Sequence, residues 1–380
     1  MILFSNKSRP YHLGPYPLEH IARDARIFET EAAAPRSEPP ADAARASGRF
    51  AAALGKYHDI FHALRADEPA PAKAPVPDDL SRRAIDIKGA AYFLDASQVG
   101  ICELSENCWL EGSTPLPHSH AIVILVEHPR TPEDGSLAST WVTDSVGDMA
   151  AFRAYEIGIS VANQVQAMGF SAVAHDRRYG DVDLDRLAVM AGLAYRQGED
   201  AIYPYVDHRF STCVVTSDYA LASDLPLSPR AARRAKGVAY FLGLGGATSG
   251  LERWRQNKRP THLSKFAMET VDRVDEPTTL IIEDEVPRVP KRASFFDRAV
   301  HGDLGKKSQV ERTRFAFKHP LAAAMVKQIM AMVPHQDGPV ADAPDSDCVN
   351  AEENTRALKS LSYLLGAELT GICEIPDYAW

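Results

Sequence analysis

The sequence predicts an α/β protein, layered in the α+β sense, followed by the start of a second copy of the same unit. Three observations carry this. Periods of two residues and of three to four residues alternate over 84–228. The run Ala121-Ile-Val-Ile-Leu-Val126 has the length of a buried strand and falls far short of the roughly 20 apolar residues that cross a bilayer. A gapless internal repeat joins residues 88–109 to residues 359–380.

Taken in order, residues 1–83 are rich in Pro and Ala and predict an N-terminal arm around one alanine-rich helix. Arg82–Leu94 carries apolar residues at helical spacing, and Gln98–Leu104 and Ala121–Val126 are strands. A helix follows over about Asp148–Met168, where Phe152, Tyr155, Ile159, Ala162 and Val165 recur every three or four residues and Gly169 supplies a left-handed cap. Ser171–His175 is a short strand, Leu184–Ala194 a helix, and Ser211–Ser217 a strand rich in β-branched residues. Alternation of this kind predicts stacked layers without fixing the strand order.

The charge sum is 42 − 51 = −9 over 380 residues, which argues against a nucleic-acid partner. The imbalance is segregated. Residues 229–320 hold 19 Lys and Arg against 11 Asp and Glu, or +8, leaving −17 elsewhere. The clusters Arg230–Lys236, Arg253–Arg259 and Arg288–Arg292 could meet an anion, but a solvated or interdomain surface is the simpler reading. With the helix Pro320–Val333 and the acidic linker Pro334–Asp347, they make 229–347 a basic connector between a unit at 84–228 and a second beginning at 348–380.

Five scattered cysteines do not form a disulfide framework. The opening Met1–Pro10 has only a short apolar start before polar residues. The expectation is a cytoplasmic protein without a membrane partner.

In the repeat, nine of 22 positions are identical, including Gly-Ile-Cys-Glu at 100–103 and 371–374. An offset of 271 residues is too long for a solenoid and predicts a duplicated domain whose second copy has barely begun. The expectation is a fragment of a longer protein, with a tail helix and strand leading to Trp380; the alternative is a tail docked on the first copy.

No spacing joins the candidate residues into a catalytic set. Asp144, Asp148, Glu156, His175, Asp176 and Tyr179 lie near predicted element ends, where α/β crevices form. Cys102 and Cys373 read as small buried hydrophobes in equivalent strands, and Cys108 follows Cys102 at no zinc spacing. His118 and His120 could share one face of a strand, yet no second ligand pair follows. Gly243–Gly250 lacks the Gly-Lys-Ser/Thr of a phosphate loop and reads as a turn. Trp254–Arg259 could stack on a planar ligand or simply lie on the surface. No catalytic residue and no metal ligand is assigned, and the cofactor-binding residues stay unknown.

The opening Phe4–Leu18, the segment Ala188-Val-Met-Ala-Gly-Leu-Ala194 with Gly198, and Val214–Leu227 resemble cobamide-dependent reductive dehalogenases of the cytoplasmic, catabolic branch. The resemblance covers most of 1–228 and 350–380. It implies a nitroreductase-like, cobalamin-binding type of fold in two copies, the first degenerate, and a halogenated phenol or hydroxybenzoate as substrate. It also implies a module with two [4Fe–4S] clusters. The cysteine runs that bind such clusters are missing from this sequence. By the resemblance the catalytic tyrosine and cobamide cavity belong to the second copy, so this chain is mainly scaffold, inactive alone, whose partners are the remaining domains of the same enzyme. A stand-alone corrinoid-binding or interaction module and a flavin nitroreductase-like enzyme are the alternatives.

Overall fold

The computed structural model describes residues 9–40, 48–142, 145–275, 279–280, 282–343, 346–348 and 350–379. Asp144, Trp380 and the first residues of the Phe4–Leu18 segment lie outside them. In chain order the first helices are α1 (Arg26–Ala33), α2 (Arg49–His62) and α3 (Leu80–Phe93), followed by strands β1 (Gln98–Glu103) and β2 (His120–Glu127). Helices α4 (Leu137–Val142) and α5 (Val146–Ala167) precede β3 (Ala172–His175), α6 (Leu184–Met190), β4 (Tyr195–Gln197), β5 (Asp200–Ile202) and β6 (Phe210–Ser217). The connector carries α7 (Pro229–Ala232), α8 (Val238–Leu242), α9 (Gly250–Asn257), α10 (Phe295–Val300), α11 (Lys306–Glu311), α12 (Arg314–Phe317) and α13 (Pro320–Met332); α14 is Ala351–Leu364.

The main sheet is antiparallel throughout, in the order β1-β2-β6-β3. Strand alternation sends Ile101, Ile122, Val215 and Ala174, one cross-strand row, into a core shared with α5. Cys102, Ala121, Val123 and Val214 point the other way, into a second core closed by α6. The strands are therefore apolar on both faces, and a fully buried Val, Leu or Ile contributes about 1.5–3 kcal/mol. Helix α5 ends where expected, with Gly169 at φ 85°. Asp79 and Asp183 cap α3 and α6 by accepting the backbone N–H of Ser81 and Arg186.

Two expectations are corrected. The described residues of the expected N-terminal arm contribute to the cores: Tyr16, Leu18 and Ile21 enter the second, while Leu54 and Phe61 of α2 enter the first. Proline content reports backbone stiffness, whereas docking is decided by a few large apolar side chains. Arg9 adds a polar anchor, donating to the carbonyls of Leu13, Gly14 and Tyr16 and to Glu19.

The second correction concerns the tail. Helix α14 forms, capped by Asn350 through the N–H groups of Glu352 and Glu353, but Leu369–Glu374 is irregular where a strand was expected. Ile372 and Cys373 are exposed there, whereas their counterparts Ile101 and Cys102 are fully buried. Strand β1 has β2 beside it; residues 369–374 have no strand beside them among the described residues, and an unpaired strand does not hold its backbone groups.

The turn after each helix is nevertheless the same. Asp95 and Gly366 both take positive φ, 71° and 96°. Ala96 N–H donates to Ala91 O and Ala367 N–H to Ser362 O. The hydroxyl of Tyr92 accepts from Val99 N–H, and that of Tyr363 accepts from Thr370 N–H. Each pair is separated by the repeat offset.

Candidate functional site

The end of β3 gathers the polar residues singled out from sequence. His175 is wholly buried, and its Nδ1 accepts from the backbone N–H of Asp181 at 3.4 Å. That contact leaves the proton on Nε2, which donates to Thr216 Oγ1 at 3.0 Å. Thr216 then donates to His118 Nδ1 at 2.8 Å, and His118 Nε2 donates to Ser171 Oγ at 2.8 Å. Burial, reinforced by Arg65 and His118, pushes His175 down to about 3, and burial also lowers His118. The relay is a row of neutral rings in fixed tautomers.

Asp176 faces the other way. Its carboxylate accepts the backbone N–H of Arg178 and Tyr179 and meets His58 Nε2 at 2.6 Å. The His58 ring stacks on Tyr155, centroids 4.6 Å apart, and Tyr155 Oη meets His62 Nδ1 at 3.1 Å. His62 stacks on Tyr179, whose hydroxyl donates to Asp59. Burial holds the Tyr155 phenol well above its usual range and lowers His62. Among these groups, neither Tyr155 nor His62 is poised as a charged acid or base at neutral pH; the cluster pins α2 against α5 and the β3 exit. His58, Asp59 and His62 come from α2, inside the supposed arm, and no spacing in the sequence links them to Asp176. Asp148 stands exposed in the first turn of α5, and Glu156 is paired with Arg153. The structure does not bring either into the cluster.

A cleft of about 770 Å³ opens between the β2 end, α9, the following loop and α14. Its walls include Asp95 and Ser97 on one side and Gly366, Ala367 and Glu368 on the other, which are the two repeated turns. Its three arginines are already engaged. Arg130 donates to the carbonyls of Arg259, Pro260 and Leu263, Arg153 to Glu156 and Leu94 O, and Arg253 to Pro15 O. Arg253 also lies 4.0 Å from the Tyr16 ring centroid, and Tyr16 donates to Glu127. A second cleft, about 600 Å³, is walled by charged residues including Glu31, Asp183, Arg186 and Arg196. Arg196 grips Glu31 through two bonds of 3.1 Å.

The remaining candidates resolve individually. Val238–Leu242 is helix α8, not a strand, and Gly243 closes it at φ 74°, so Gly243–Gly250 lacks the strand that precedes a phosphate loop. In the aromatic-basic stretch Lys258 covers Trp254 at 4.5 Å, and Arg259 forks onto Glu269 with two bonds of 2.7 Å. His118 uses both ring nitrogens in the relay, while His120 meets Ser119 Oγ. Cys102, Cys108 and Cys213 are buried, and burial raises each thiol, which makes them inert packing groups. No group of three or more His, Cys, Asp or Glu is placed to hold a metal ion among the described residues. No helix among them is long and apolar enough to cross a membrane.

No known family profile matches the chain, and no curated protein matches it. Solved structures do. The catabolic reductive dehalogenase NpRdhA, N-terminally tagged, is 38% identical with a TM-score of 0.88, over 99% of this chain and 54% of that one. A reductive dehalogenase structure that suggests a mechanism for B12-dependent dehalogenation matches at 38% identity and TM-score 0.88, covering 100% of this chain and 54% of the other. The tagged NpRdhA in complex with 3-bromo-4-hydroxybenzoic acid gives 38% and 0.87, covering 99% and 53%. The mixed α/β fold is thus that of the reductive dehalogenases, and the chain spans about half the length of the structures it matches.

Proposed function

We propose that this chain is part of a cobamide-dependent reductive dehalogenase of the catabolic kind, and that its share in that enzyme is structural. The observation that carries the reading is the alignment at 38% identity and TM-score 0.88 over 99% of the chain. The matching turns at Asp95 and Gly366, with their Tyr92 and Tyr363 acceptors, support a duplicated unit of nitroreductase-like type whose second copy starts at about residue 348. The substrate class is a halogenated phenol or hydroxybenzoate, in line with the bromohydroxybenzoate complex of a neighbour. Corrinoid dependence follows the B12-dependent neighbour. Two [4Fe–4S] clusters belong, on this reading, to domains other than those described, and the enzyme works in the cytoplasm.

The residues present do not fit a corrin ring. Both faces of the sheet are filled, by α5 with Ile101, Ile124 and Val215 and by α6 with Val123 and Val214. The two clefts are walled largely by charged and polar groups, with their arginines tied to acceptors within the chain, whereas cofactor pockets are mostly apolar. No catalytic step is therefore derived through the group in this chain. What its residues do is build a rigid platform and hold α14 and the second turn against it.

A visible-spectrum titration of residues 1–380 with cob(II)alamin tests the structural role. The spectrum is expected to stay that of the free corrinoid up to high micromolar protein. A saturable shift would overturn the scaffold reading and favour a corrinoid-binding module.

A further inference from the structure

Three segments far apart in sequence meet at the cleft. The loop after β2 contributes Arg130 and Glu133, the loop after α9 contributes residues 259–264, and α14 contributes Ser360. Glu133 accepts from Thr261 twice, from the backbone N–H at 2.7 Å and from Oγ1 at 2.6 Å. A threonine hydroxyl has one proton, spent on the carboxylate, so the 3.1 Å contact between Thr261 Oγ1 and Ser360 Oγ has Ser360 as donor. Ser264 Oγ donates to Glu368 O at 2.9 Å, catching the backbone just past α14. Arg130 fixes the middle segment through three carbonyls. Thr261, Ser264 and Ser360 are each about 95% buried, so these bonds do not exchange freely with water.

We propose that Arg130, Glu133 and Thr261 form a clamp by which the first α/β unit sets the position of α14 and the turn at Gly366, and through them the placement of the second unit. This rests on the reading that 348–380 opens that unit. Apolar contact selects the buried face of the helix, through Ala357, Leu361 and Leu364, while Leu358 and Leu365 face solvent. The clamp supplies the direction that such packing lacks, because hydrogen bonds to Ser360 and to Glu368 O select one register along the helix axis.

The three clamp residues are positioning groups, and their effect is local. Native-state hydrogen exchange on residues 1–380 reads it. In Thr261→Val, which keeps shape and removes the hydroxyl, amides of 351–364 should exchange roughly tenfold faster, as expected for a lost buried bond and an unpaired Ser360. Amides of α5 and β6 should be unchanged. Thr261→Ser should restore protection, and Arg130→Met should reproduce the loss. Unchanged protection in 351–364, or equal loss in α14 and α5, would overturn the clamp. The readout needs neither corrinoid nor substrate, so it stands or falls apart from the dehalogenase reading.

Discussion

His175 was conspicuous in the sequence as a polar residue at a strand end, but its partners were not. Thr216 lies on β6 and His118 before β2, and nothing in their spacing announces that one hydroxyl joins two imidazoles. The same holds for Asp176, whose partner His58 belongs to α2. Contacts made across a sheet or between layers have no sequence period. Such a buried neutral histidine has a consequence for pH dependence. Its folded value of about 3 lies below the 6.5 of an exposed ring, so the unfolded chain binds the proton first as pH falls. Stability is full above about pH 6.5 and declines between 6.5 and 3, by up to about 1.4 kcal/mol per pH unit from this group. Urea unfolding of His175→Gln at several pH values should give a protein weaker at pH 7 but with a shallower slope below 6.5. Equal slopes in the two proteins would show that His175 does not stay neutral.

The longer helices and strands of 84–228 are legible because each is amphipathic or largely apolar, whereas short α4, β4 and β5 carry no such signal and α6 stops four residues before the expected Ala194. Long α5 and the β-branched β6 are the clearest cases, and both appear within a residue or two of expectation. The tail strand failed for the opposite reason. Four of its six residues match β1, yet a strand is a property of a pair, and no pairing partner stands beside it among the described residues. Close packing between elements was equally invisible. Gly158 lies where α5 crosses β6, and a Cβ there would collide with Cys213 Sγ while clearing Cys213 Cβ at 3.4 Å. Gly158→Ala should therefore cost about 1–3 kcal/mol despite the better helix propensity of alanine. Adding Cys213→Ala should recover part of that loss, giving a favourable coupling in thermal or urea unfolding. Strict additivity would mean that the two side chains do not compete for the same space.

At the scale of the molecule, the charge segregation noted in the sequence is met in part by groups within the chain. Arg253 and Arg259 bind groups within the chain, Lys236 pairs with Asp207 and Arg292 with Asp303. Arg253 and Lys236 tie the connector to the first unit, Thr261 and Ser264 tie it to α14 and the turn after it, and polar residues that looked like site candidates serve packing and orientation. The family resemblance was readable because it lies in ordered motifs along the chain. The clamp was not, since its three segments are brought together only by the fold. The central claim is that this sequence works within a longer, corrinoid-dependent enzyme. Metal analysis of the native polypeptide carrying it, purified under anaerobic conditions, tests this most directly. The account predicts cobalt and iron in a ratio of about one to eight, from one corrinoid and two four-iron clusters; a native polypeptide containing neither metal would contradict it.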